Sequence, residues 1–147
     1  MDETKQPGIR LVQVFLEKAL FKHRPDFLDL PADTEPDIRH LAVSLETGLT
    51  ADSSAALVRA RIRTKPRARG VYEFDVTMTA LLERDAKSPN MPLDQYVSMA
   101  GWTLVFPFLR EAVANITTRG RFGPVWLNPF NLKAHAGSGA KKRASKP

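Results

Sequence analysis

The chain has 147 residues, the size of one domain that buries roughly two thirds of its unfolded surface and needs no staples. It contains no cysteine, which excludes disulfides, thiolate metal sites and cysteine nucleophiles, and no apolar run near the ~20 residues of a membrane span. The net charge of +6 is local: six basic residues lie between Arg59 and Arg69 and four between Lys141 and Lys146, leaving 12 basic against 16 acidic residues elsewhere.

Residues 1–8 read as a flexible arm without the apolar core of a signal peptide, so a cytoplasmic protein is expected. From Ile9 to Lys22 the apolar residues fit two periods. Period 2 places Phe15, Glu17, Ala19 and Phe21 on one face and Leu16, Lys18, Leu20 and Lys22 on the other. Leu16, Ala19, Leu20 and His23 also fall near helical spacing. The β-branched and aromatic residues of the first half favour a strand. Three prolines and five acids between His23 and Asp37 mark a loop. Leu41, Val43 and Leu45 then alternate with Ala42, Ser44 and Glu46, the pattern of a half-buried strand. A third strand is expected from about Ala56 to Thr64, with Val58, Ala60, Ile62 and Thr64 on one face and arginines on the other. A fourth runs from Val71 to about Glu83, alternating Tyr72, Phe74, Val76, Met78 and Ala80 with Glu73, Asp75, Thr77 and Thr79. Consecutive strands joined by short turns point to an antiparallel sheet.

After Asp85 the period lengthens. Val105, Phe108, Leu109, Ala112, Val113 and Ile116 recur at three and four, giving an amphipathic helix within Leu93 to Arg119. Pro107 is expected in the first turn of its regular part, where a missing N–H is harmless, and Gly120 as its C-terminal stop. Arg121 to Asn131 is irregular, a short helix starts near Leu132, and residues 136–147 form a small, polar, basic tail with too little apolar surface to fold. The fold class is therefore α+β: a four-stranded antiparallel sheet with a long helix and a short C-terminal helix on one face, in a domain over residues 9–135.

Three pieces near the C-terminus occur in a fixed order: Val105-Phe106-Pro107-Phe108-Leu109-Arg110-Glu111, then Thr118-Arg119-Gly120-Arg121-Phe122, then Leu127-Asn128-Pro129-Phe130-Asn131-Leu132. Together they resemble the SecB family of bacterial export chaperones, over about Ile9 to Ala134. The resemblance implies a tetramer, a dimer of dimers with the main helices between dimers. It implies a holdase that binds unfolded polypeptide clients in apolar grooves, without nucleotide or other cofactor, and passes them to the SecA motor. Leu41, Val43 and Leu45 match the second-strand positions that contact clients in the family, with Trp102, Phe106 and Phe130 as further groove candidates. The matching motor-docking positions are Lys18 and Lys22, where the family is acidic, and Glu73 and Asp75, where it has a leucine and a glutamate. The tail is basic where the family's is acidic. These departures weigh against SecA as a partner and leave room for a dedicated client such as an antitoxin.

The basic residues Arg59, Arg61, Arg63, Lys65, Arg67 and Arg69 alternate at period 2 and would project from one strand face. Their functional reading is a docking stripe for an acidic partner, or a nucleic-acid-binding module as the alternative function. The plain reading is a solvated strand face that discourages edge pairing. No aromatic residue is interleaved from Arg59 to Arg69, as single-stranded nucleic acid would favour. Catalysis finds no support: His23, His40 and His135 show no metal-ligand spacing, and no phosphate-binding glycine loop is present. No enzyme and no metal site are expected.

Overall fold

The computed structural model describes residues 8–36, 41–65, 70–84, 92–128 and 141–142. Four long strands, β1 (Ile9–His23), β2 (Leu41–Leu49), β3 (Ala55–Thr64) and β4 (Tyr72–Arg84), precede a 25-residue helix, α1 (Leu93–Thr117). A two-residue strand, β5 (Lys141–Lys142), follows it. The sheet order is β1-β4-β3-β2-β5. β2, β3 and β4 form an antiparallel meander, and β1 reaches the far side of β4 through the long connection that follows it. This is a Greek-key arrangement in which the long connection comes first. The short C-terminal helix and Phe130 fall outside the described residues.

The meander forms because its strands alternate through their middles. Val58, Ala60 and Ile62 of β3 pair with Ala80, Met78 and Val76 of β4, and Val58, Ala60, Ile62, Val76 and Ala80 have no solvent exposure. Directly opposite residues share a face, so this face is continuous and apolar. α1 packs on it through Val97, Val105, Leu109 and Val113. Gly101 packs directly on β3: a Cβ there would stand 3.4 Å from Val58 Cγ1.

β1 departs from the expected alternation. Its register against β4 slips between Leu11 and Gln13 and again between Leu16 and Lys18. Each extra residue is a bulge, and each reverses the phase of the side chains beyond it. Leu16, Ala19 and Phe21 therefore lie opposite Met78, Val76 and Phe74 on the helix side, while Phe15, Lys18, Leu20 and Lys22 lie opposite Thr79, Thr77, Asp75 and Glu73. Simple period 2 had grouped Phe15 with Ala19 and Phe21. The bulge at Glu17 separates them.

Two details of α1 also differ from expectation. Pro107 sits at mid-helix and not in a first turn. It removes the N–H owed to the Thr103 carbonyl, and both residues are exposed, so the break lies on the solvent side of the helix. Gly120 lies just beyond the end of α1, but its backbone is not left-handed; the positive φ belongs to Gly123, at 83°. Gly120 is required because Tyr72 lies against it: a Cβ would come within 2.7 Å of the ring's Cζ. The Tyr72 hydroxyl accepts from the Phe122 N–H at 2.9 Å and donates to the Gly123 carbonyl at 2.8 Å. His23 Nε2 accepts from the Arg121 N–H, and the buried Thr117 hydroxyl accepts from the Val125 N–H. The arginine-glycine-x-phenylalanine stretch is thus a staple that holds the segment after α1 onto β1 and β4.

Candidate functional site

On the helix side of the sheet, the groove candidates Leu41 and Leu45 of β2 and Trp102 and Phe106 of α1 belong to one buried cluster and are only 5–9% exposed. The two aromatic rings lie 5.1 Å apart. Val43, between the two leucines, is half-buried at the sheet margin and packs on the same cluster. Within one chain Leu41, Leu45, Trp102 and Phe106 are therefore core residues, and Val43 is the accessible member of the set, at the rim. Arg110 of the helix motif is structural: its Nε donates to the Leu127 carbonyl at 3.1 Å, and its guanidinium lies 5.0 Å from the centre of the exposed Trp126 ring.

The opposite face carries the charged candidates, and the structure brings them together. Arg61 makes a two-bond fork to Asp75, at 2.9 and 2.6 Å, and Lys18 reaches the same carboxylate at 2.9 Å. Lys22 pairs with Glu73 at 3.3 Å. Arg59 lies between Glu17, at 2.8 Å, and Glu46, at 3.3 Å. Residues proposed separately as a motor-docking patch and as an arginine stripe are thus each other's partners. The Arg61 hydrogen bonds, helped by Lys18, hold the Asp75 carboxyl down to about 2. Arg59 and Arg61 are raised in turn, chiefly by their hydrogen bonds to Glu17 and Asp75. The long charged side chains lie across the centre of this face and bury Thr77 and Thr79 beneath them. Arg63 makes no ion pair among the described residues, and Arg67 and Arg69 lie outside them.

This pairing was not legible in the stripe itself, because the acids come from β1, β2 and β4. Glu17 reaches Arg59 across the width of β4 from its bulge. Two further surfaces escaped the sequence reading. One is a hollow of about 380 Å³ at the hairpin end of β2 and β3, lined by Gly48, Leu57 and Leu81, with Glu46 and Arg59 at its side. Its signal was present in the sequence as doubled apolar residues, Leu57-Val58 and Leu81-Leu82, where alternation calls for one polar partner. The other is β1, where Leu11, Val12, Leu16 and Leu20 are 38–47% exposed. At the opposite edge, β5 pairs in parallel with Glu46 and Thr47 of β2.

Among the described residues there is no group of histidine and acidic side chains arranged to hold a metal ion. No helix among them is long and apolar enough to cross a membrane.

Comparison with known proteins adds what geometry alone does not give. The family model described as preprotein translocase subunit SecB matches residues 2–136. The chain is similar to the protein-export protein SecB of Albidiferax ferrireducens, with 26% identity over 139 residues that cover 91% of this chain and 86% of the relative. It is equally similar to that of Neisseria gonorrhoeae, 26% identical over 138 residues and covering 91% of each. Among solved structures it matches the Mycobacterium tuberculosis Rv1957 SecB-like chaperone in complex with a ChAD peptide from an antitoxin. The TM-score is 0.61 at 20% identity, over 82% of this chain and 86% of that one, a likeness of fold.

Proposed function

The chain belongs to the SecB family, and from that premise we propose that it is an ATP-independent holdase. It keeps unfolded polypeptides extended along an apolar margin, for export or for one dedicated client such as an antitoxin. The observation that carries this reading is the family match across nearly the whole chain, joined to the same four-strand and one-helix architecture.

The margin between α1 and β2 supports a place for the client. Leu41, Leu45, Trp102 and Phe106 supply an apolar floor, Val43 an accessible rim, and the outer edge of β2 the backbone groups that fix an extended chain in register without reading its sequence. Phe130, outside the described residues, joins this set on family likeness alone. A homo-oligomer, with the tetramer of the family as its form, would cover the apolar side chains that β1 leaves in water. The site of action is the cytoplasm. SecA handover through the open face is disfavoured, because Glu73 and Asp75 are already paired with Lys22, Lys18 and Arg61. Nucleic-acid binding through Arg59 and Arg61 is disfavoured for the same reason. Family membership weighs against a catalytic role.

Dilution of a chemically denatured precursor into buffer tests the proposal. The purified protein should suppress light scattering near one tetramer per client, equally with and without ATP; no suppression at any ratio overturns the holdase reading. Val43→Asn should weaken client binding about threefold or more, the loss of one half-buried apolar contact, while cooperative unfolding is retained. Unchanged affinity would move the client site away from β2.

A further inference from the structure

The outer edge of β2 is nine residues long, and among the described residues its only strand neighbour is β5, which covers two positions, Glu46 and Thr47. The pairing is parallel, the less stable of the two ladder types per residue. It brings a segment from the far C-terminus to the backbone edge assigned above to an extended client. We propose that Lys141–Lys142 is an intramolecular stand-in for client: the basic C-terminal segment occupies the strand-addition edge of β2, and an unfolded polypeptide must displace it to bind.

Three observations bear on this. The first is geometric. A strand added at Glu46–Thr47 lies beside the hollow lined by Gly48, Leu57 and Leu81. Side chains of an added strand point alternately to the two faces, so an extended polypeptide with apolar residues at alternate positions fills that hollow while its backbone bonds to β2. The second is that the segment has little of its own to put there. Residues 136–147 contain Lys141, Lys142, Arg143 and Lys146, no acid and no side chain larger than alanine that is apolar, apart from Pro147. Its composition offers almost no apolar surface to such a hollow, so a client with larger apolar side chains gains contacts that this sequence cannot supply. The third is connectivity. The segment belongs to the same chain as the edge, and tethering holds a weak segment near its edge at high effective concentration.

The consequence is a selectivity filter. A tethered competitor reduces the apparent affinity of every client by the fraction of time that the edge is free. Polypeptides that add only backbone bonds lose to it. Those that also seat apolar side chains in the hollow displace it.

This inference rests on the holdase reading, and the experiment separates the two. Binding of a fluorescent, reduced and carboxymethylated lactalbumin, a permanently unfolded protein, is measured by anisotropy for the full-length chain and two full-length variants. Lys141→Pro with Lys142→Pro removes the backbone donors and the extended pairing. Lys141→Ala with Lys142→Ala removes charge and keeps the backbone. The proline pair should bind the probe about 3- to 10-fold more tightly, as expected when the edge is mostly occupied at rest, and the alanine pair should stay within about twofold of the unaltered chain. Proline and unaltered chains of equal affinity overturn the stand-in and leave the holdase intact. An alanine pair that tightens as much as the proline pair overturns strand pairing as the device. Absence of probe binding by all three proteins overturns the holdase itself, and the stand-in with it.

Discussion

β3 and β1 are both long, apolar strands on β4, one on each side of it, yet their side chains meet opposite fates. In β3 the apolar set Val58, Ala60 and Ile62 is sealed beneath α1, and Arg59 and Arg61 on the other face are tied into ion pairs. In β1 the apolar set is split by two bulges between both faces, and Leu11, Val12, Leu16 and Leu20 remain in contact with water. One helix is too narrow to cover a four-stranded sheet, so it covers the middle. The difference separates two placements of hydrophobic side chains in one small protein: the centre holds the fold, and β1 leaves part of its apolar surface in water.

The largest effect that would break this contrast comes from truncation at the centre. Ile62→Ala should lower the unfolding free energy by about 3 kcal/mol, through lost burial and a cavity that rigid neighbours cannot fill. Leu20→Ala should change it by less than about 0.5 kcal/mol and show its effect in the concentration dependence of self-association. Equal costs in urea melts would erase the distinction between centre and edge. A smaller effect concerns the staple that ties the helix end to the sheet. Tyr72→Phe strands the Phe122 N–H and the Gly123 carbonyl and should cost about 2 kcal/mol, seen as a lower urea midpoint. The smallest tests the ion-paired face. Asp75 titrates at about 2 in the folded chain against 3.8 for a free aspartate, so the unfolded chain binds that proton more tightly. Its stabilisation is complete above about pH 4 and is lost as pH falls through 2; after solvent screening it amounts to about 1 kcal/mol. Asp75→Asn should flatten that part of the stability profile, and an unchanged acid limb would remove Asp75 from the account.

Much of the architecture was legible in the sequence because β2, β3 and β4 obey a period that only a sheet imposes, and Val105 to Ile116 one that only a helix imposes. What escaped depended on partners distant in sequence. A bulge is a relation between two strands, so Glu17 gives no local sign of being the residue that flips Phe15 to the other face. Gly120 looked like a helix stop, and its need for a bare Cα is imposed by Tyr72, on a strand that precedes the helix. Arg59, Arg61 and Arg63 read as an unpaired stripe because alternation reveals which residues share a face but not what stands opposite them. For the client surface, Leu41, Val43 and Leu45 were chosen by family likeness; their unequal burial, two on the floor and one at the rim, follows from the helix axis, which no period encodes.

The Greek-key order of the strands has a consequence during synthesis. Ribosomes release β1 first, but the strand that pairs with it, β4, follows roughly 50 to 75 residues later, several seconds at a translation rate of ~10 residues per second. Until then Leu11, Val12, Leu16, Phe21 and their neighbours have no sheet to join. The strand that leaves the most apolar surface in water is thus made first, and its pairing is delayed by topology.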